Sequence, residues 1–228
     1  MPREYERRVV TRSVANWPLD LPYYNSFEDA AHFMAVSKSN TSGAATIETT
    51  KANRGKQSLK LDTGATTPLA NQVITVDQQI DTIEPGLIKM KCMVDQNAQT
   101  ELNYFIGGTF VTKNPNKRVS PFITVEISGG AYTFYYDAGD AVNVQFAQLS
   151  FNGGGRFAPI EFVINTQTGK FLHALIRSKK YDLSTVSLAI ANVSNPDELG
   201  SVVIGVRTLA AAQKVIYIDD VLVEPGVS

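Results

Sequence analysis

The chain has 228 residues, 43% of them hydrophobic, and a formal net charge of -1 from 21 basic and 22 acidic side chains. Near neutrality gives no global field toward nucleic acid or an anionic membrane. No run of about twenty apolar residues is present to span a bilayer, and a single cysteine, Cys92, excludes an internal disulfide. A chain of this length is expected to bury one substantial core, and a β-sandwich of this size is commonly one domain.

Residues 1–8 lack the apolar stretch of a secretory signal, so the expectation is a protein made and used without secretion, unless a leader has been removed. Residues 1–25 read as an extended N-terminal arm. Arg3, Arg7, Arg8 and Arg12 stand against Glu4 and Glu6, and Pro18 and Pro22 then interrupt the segment that holds Trp17, Tyr23 and Tyr24. Proline removes a backbone donor and restricts its predecessor, so no regular element is expected there. Large rings on an extended segment pin it to a surface, either its own sandwich or a neighbouring subunit. Trp17, Tyr23 and Tyr24 are therefore candidate partner contacts. Residues 26–33 read as one helical turn capped by Ser26.

From residue 46 the pattern has period two. Strands are expected at 46–50, 57–61, 73–76, 87–94, 102–110, 122–127, 132–136, 142–146, 160–164, 171–176 and 202–207, with turn signals at 129–130 and 166–169. The clearest is 87–94, where Ile88, Met90, Cys92 and Val94 face inward and Lys89 and Lys91 face water. In 142–146 the valines and Phe146 share one face. Residues 184–191 suit a short helix or a loop, and Gly153, Gly154 and Gly155 make a flexible loop with no helical start after it. Many short strands without a long amphipathic helix predict an all-β, two-sheet antiparallel jelly-roll sandwich over 26–228.

Strand 132–136 puts Tyr132, Phe134 and Tyr136 on one face and Tyr135 on the other. The three-ring face reads as core. Tyr135 is the ring left for a ligand, because sugars stack on flat aromatic faces. The last strand, 215–223, is apolar and β-branched, yet carries Asp219 and Asp220 at its centre. Buried carboxylates need compensation. Two explanations stand open: a bulge that turns both acids to solvent or onto backbone amides, or a hard cation such as calcium.

No catalytic constellation emerges. The two histidines, His32 and His173, sit in no triad, nucleophile elbow or phosphate loop, and Glu126, Asp137 and Glu161 are not singled out as a pair. The chain is read as non-enzymatic.

Residues 27–29 (Phe-Glu-Asp), 53–61 (Asn-Arg-Gly-Lys-Gln-Ser-Leu-Lys-Leu) and 217–221 (Tyr-Ile-Asp-Asp-Val) resemble, in order, the landmarks of jelly-roll carbohydrate-binding modules. Residues 159–171 are similar to the hairpin of concanavalin-like lectin sandwiches. The resemblance implies a structural calcium held by Glu28 and Asp220, helped by backbone carbonyls near 54–57. Ala30 and Ala31 depart from the pattern, standing where a glycine and a tryptophan are usual. Jelly rolls of this kind also occur in phage virions, so fold alone does not fix function.

Two functional expectations result. The first is a virion structural protein, a capsid-decorating or tail-associated jelly roll that binds neighbouring subunits, or copies of itself, through its arm. The second is a carbohydrate-binding module of a secreted enzyme.

Overall fold

Apolar side chains at every second position can be buried together only if the segment is extended and one face of it is covered. Met90 and Cys92 on one such segment and Ile204 and Val206 on another are all 0% exposed, and each pair is separated by one outward residue. The computed structural model describes residues 23–28, 35–39, 41–64, 70–96, 98–113, 116–140, 142–150, 156–195 and 198–225. Among them are seventeen strands: β1 (Tyr23–Asn25), β2 (Ala35–Ser39), β3 (Ala44–Glu48), β4 (Ser58–Asp62), β5 (Val73–Ile80), β6 (Leu87–Asp95), β7 (Leu102–Thr112), β8 (Lys117–Val119), β9 (Phe122–Ser128), β10 (Ala131–Asp137), β11 (Asn143–Ser150), β12 (Ala158–Asn165), β13 (Lys170–Ile176), β14 (Lys179–Asp182), β15 (Ile190–Asn192), β16 (Gly200–Thr208) and β17 (Val215–Pro225).

They form two sheets. One is eight-stranded, in the order β14-β13-β12-β6-β17-β4-β3, with β1 added on β17. The other is nine-stranded, in the order β11-β10-β9-β7-β16-β5-β2, with β8 on β7 and β15 on β8. All pairings between these strands are antiparallel. The core lies between the sheets, with Leu59, Leu61, Phe162 and Phe171 from one facing Ile74, Ile106, Ile123 and Val125 from the other. This is the jelly-roll sandwich expected from the sequence, with the first and last described strands paired: Tyr23 opposes Val223 and Asn25 opposes Val221.

Several expectations are corrected. Tyr23 and Tyr24 belong to the sandwich rather than to an arm, because β1 docks on β17 and Tyr23 is only 3% exposed. Of the two surfaces open to these rings, they take their own domain. The sandwich therefore extends back at least to Tyr23. Trp17, the rest of the arm, most of the helical turn at 26–33 and the glycine loop lie outside the described residues. Of the two forms left open for 184–191, residues 184–189 take the loop, with an isolated bridge at Ser187, and Ile190 and Ala191 begin β15. Strand β11 is the edge of its sheet, so Val144 is 39% exposed, while a bulge opposite Phe134 and Tyr135 lets Phe146 pack on Tyr136 and Tyr181.

Candidate functional site

Two places gather polar side chains against the grain of the sandwich, and the first is the acid pair of β17. Its register with β6 breaks between Asp219 and Leu222, and Asp220 takes a φ of +50°. The bulge is thus the way the strand accommodates both acids. Asp219 is 0% exposed. Its Oδ2 accepts the amide N–H groups of Asn53 at 2.8 Å and Arg54 at 3.1 Å, and its Oδ1 accepts that of Asp220 at 2.8 Å. The Tyr24 hydroxyl donates to Asp220 Oδ1 at 2.5 Å, and Asn53 Nδ2 donates to Asp220 Oδ2 at 2.8 Å. Glu28 Oε1 accepts the N–H groups of Lys56 and Gln57, both at 2.8 Å.

Glu28 and Asp220 therefore both contact one loop, residues 53–57, and Asp219, which the resemblance did not name as a ligand, sits at the centre. Burial pushes the Asp219 carboxyl up to about 6 against the lowering effect of the two loop amides. Burial, then the bond to Asp220, raises the Tyr24 hydroxyl. Calcium wants several oxygens converging on one point. Here the oxygens of Asp219 and Asp220 and Oε1 of Glu28 are met by N–H and O–H donors, so the residues as placed form a hydrogen-bonded clasp. Among the described residues no three His, Cys, Asp or Glu side chains group as metal ligands.

The second place is the outer face of the nine-stranded sheet. The eight-stranded sheet shows water a charge-laced surface, with a Lys89–Glu224 ion pair, Lys60 on Asp62 at 3.2 Å, and His173 among Glu161, Lys180 and Asp182. The nine-stranded sheet shows aromatic rings. Its register aligns Gln145, Tyr135, Thr124, Phe105, Gly205 and Thr75 in one row across six strands. The next row is Gln148, Thr133, Glu126, Asn103, Arg207 and Val73, and the row on the other side is Asn143, Asp137, Phe122, Gly107, Val203 and Asp77.

Phe105 and Phe122 meet edge to face, with centroids 6.3 Å apart at 69°. Each lies on a glycine: a Cβ on Gly205 or on Gly107 would stand 2.3 Å from the ring above it. Tyr135 is half-buried beside them, its hydroxyl raised by burial and by Glu126. The Asn103 side-chain oxygen is buried in this face with no hydrogen-bond partner. Tyr132 and Phe134 point the other way into the core at 2% exposure, as their alternation with Tyr135 required. Of the expected site residues among those described, Tyr135 alone is on this face. Phe105 and Phe122 were missed because an aromatic residue in a strand is read first as core, and Asn103, Glu126 and Arg207 were not singled out because only the strand register groups them.

No family model matches the chain, and no curated protein matches it. Solved structures do. The cellulose-induced protein Cip1 is 14% identical with a TM-score of 0.53, over 90% of this chain and 97% of that one. A carbohydrate esterase of the Shiga toxin-encoding bacteriophage phi24B is 12% identical with a TM-score of 0.54, over 84% and 90%. The carbohydrate recognition domain of Emp47p is 12% identical with a TM-score of 0.53, over 86% and 90%. A Bacillus subtilis protein described as having a galectin-like fold is 10% identical with a TM-score of 0.53, over 90% and 96%. The fold is that of the galectin-like and concanavalin-like jelly-roll sandwiches.

Proposed function

We propose that the chain is a saccharide-binding sandwich, acting by binding and not by chemistry, through the outer face of its nine-stranded sheet. The carrying observation is that Phe105, Phe122 and Tyr135 share that face with Asn103, Glu126 and Arg207 in adjoining rows. A sugar offers C–H faces to stack on rings and hydroxyls at its rim to exchange hydrogen bonds with amides, carboxylates and guanidinia.

By their names, the Emp47p domain recognises carbohydrate and the phage neighbour acts on it, which supports the reading without fixing it. The described histidine, His173, stands on the opposite sheet, away from the acids of this face. A capsid-decorating or tail-associated role in a phage virion, anchored through residues 1–22, rests on the sequence alone.

Electrophoresis through gels cast with soluble polysaccharides tests the proposal. At least one polysaccharide should retard the protein, and Tyr135→Ala or Phe105→Ala should weaken the interaction about tenfold, the effect of roughly 1.4 kcal/mol of lost stacking. Undiminished retardation of the double variant would overturn it.

A further inference from the structure

A separate pocket of about 340 Å³ opens where β6, β12 and β13 meet at one end of the sandwich, lined in part by Gln96, Arg156, Phe157, Pro159, Arg177 and Ser178. Arg177 and Ser178 are the two-residue turn between β13 and β14. Arg177 has a φ of +58°, at a hairpin position that normally takes glycine or asparagine because a Cβ there is strained. A long cationic side chain is thus kept where the backbone disfavours it, which points to a use for its guanidinium.

That guanidinium lies over the Tyr132 ring, 4.9 Å from its centroid, and the Tyr132 hydroxyl accepts a hydrogen bond from Gln96 Nε2. Arg177 also hydrogen-bonds the Tyr132 hydroxyl; this contact and the stacking fix the plane of the guanidinium, and its remaining N–H groups are left for a planar anion. Arg156 brings a second guanidinium to the same pocket. Among the described residues neither arginine forms an ion pair, while Asp95, next to Gln96, is buried and paired with Lys51 at 2.9 Å.

Two guanidinia, an amide and a hydroxyl around a small cavity walled by Phe157 and Pro159 match one ligand chemistry. We propose that this pocket binds an oxyanion, a carboxylate or a sulfate, carried on a body the size of a monosaccharide. The site shares no residue with the ring-bearing sheet face and does not depend on it.

Calorimetric titration of the whole chain with sodium glucuronate, glucose and sodium sulfate tests this. Glucuronate should bind at this pocket, and glucose should not compete with it there. Arg177→Gly removes the guanidinium while relieving the backbone, so its melting temperature should hold or rise while glucuronate affinity falls at least tenfold. Arg156→Gln should lower the affinity similarly. Sulfate binding as tightly as glucuronate assigns the site to free oxyanions, and tenfold tighter glucuronate assigns it to sugar acids; either supports the site. No glucuronate binding, competition by glucose, or full affinity in Arg177→Gly would overturn it.

Discussion

The ring of Phe105 rests on Gly205 so closely that a Cβ on that glycine would stand 2.3 Å from the ring's Cζ. The other atoms it would meet, Phe105 Cε2 and Thr75 Cγ2 at 2.8 Å, also belong to side chains. Gly205→Ala should therefore tilt the ring toward solvent, shifting stability by no more than about 1 kcal/mol while lowering saccharide affinity. Gly107 differs, since its Cβ would meet the backbone oxygen of Pro121 at 2.4 Å. Gly107→Ala should cost about 1–3 kcal/mol, the usual range for overpacking. Urea unfolding ranks the two, and a larger loss for Gly205→Ala would contradict the arrangement.

Tyr24 and Asp220 join the first described strand to the last across 196 residues. Tyr24→Phe should lose about 1–3 kcal/mol, as expected when a charged group loses a hydrogen-bond partner. Asp220→Asn is the matched change, because asparagine tolerates the positive φ that Asp220 adopts. Contacting residues are non-additive, so the double variant should show a coupling of at least about 0.5 kcal/mol. Strict additivity would mean that the bond contributes nothing.

Asp219 gives the clasp a pH dependence of unusual sign. Its folded carboxyl titrates at about 6, above the unfolded value of about 3.9. Between those values the native state holds the extra proton, so this group's contribution is fully present below about pH 4 and is lost as pH rises through about 6. The stability difference between the unaltered protein and Asp219→Asn should fall from pH 4 to pH 6.5 and then level. A difference that rises over that window would refute the assignment.

The clasp also bears on the calcium expectation. Because N–H and O–H groups already face the oxygens of Glu28, Asp219 and Asp220, thorough chelation should leave the melting temperature unchanged. A ligand bound only to the native state would raise it, so a melt that drops on chelation and recovers with added calcium would restore the metal.

Strand β6 was legible because its period is local: Ile88, Met90, Cys92 and Val94 are each at most 2% exposed. Strand β14, with the sequence KKYD, was not legible, since an edge strand that carries lysines has the composition of a loop. β1 was hidden directly after Pro22 and is stabilised by a partner at the far end of the chain. The sequence marked the acid pair as anomalous, but a bulge breaks alternation, so it could not say which acid is buried. The aromatic face was out of reach for a different reason. Phe105 and Tyr135 become neighbours only through the register of β7, β9 and β10, which no local pattern carries.

The central claim is that the outer face of the nine-stranded sheet binds saccharide, and amide chemical-shift mapping during titration with neutral oligosaccharides tests it most directly. The account predicts saturable shifts concentrated at Asn103, Phe105, Thr124, Glu126, Tyr135 and Arg207, and absent from Lys89, Glu161 and His173 on the opposite sheet. Shifts confined to the eight-stranded sheet, or none with any glucose-, galactose- or mannose-based oligosaccharide, would contradict it.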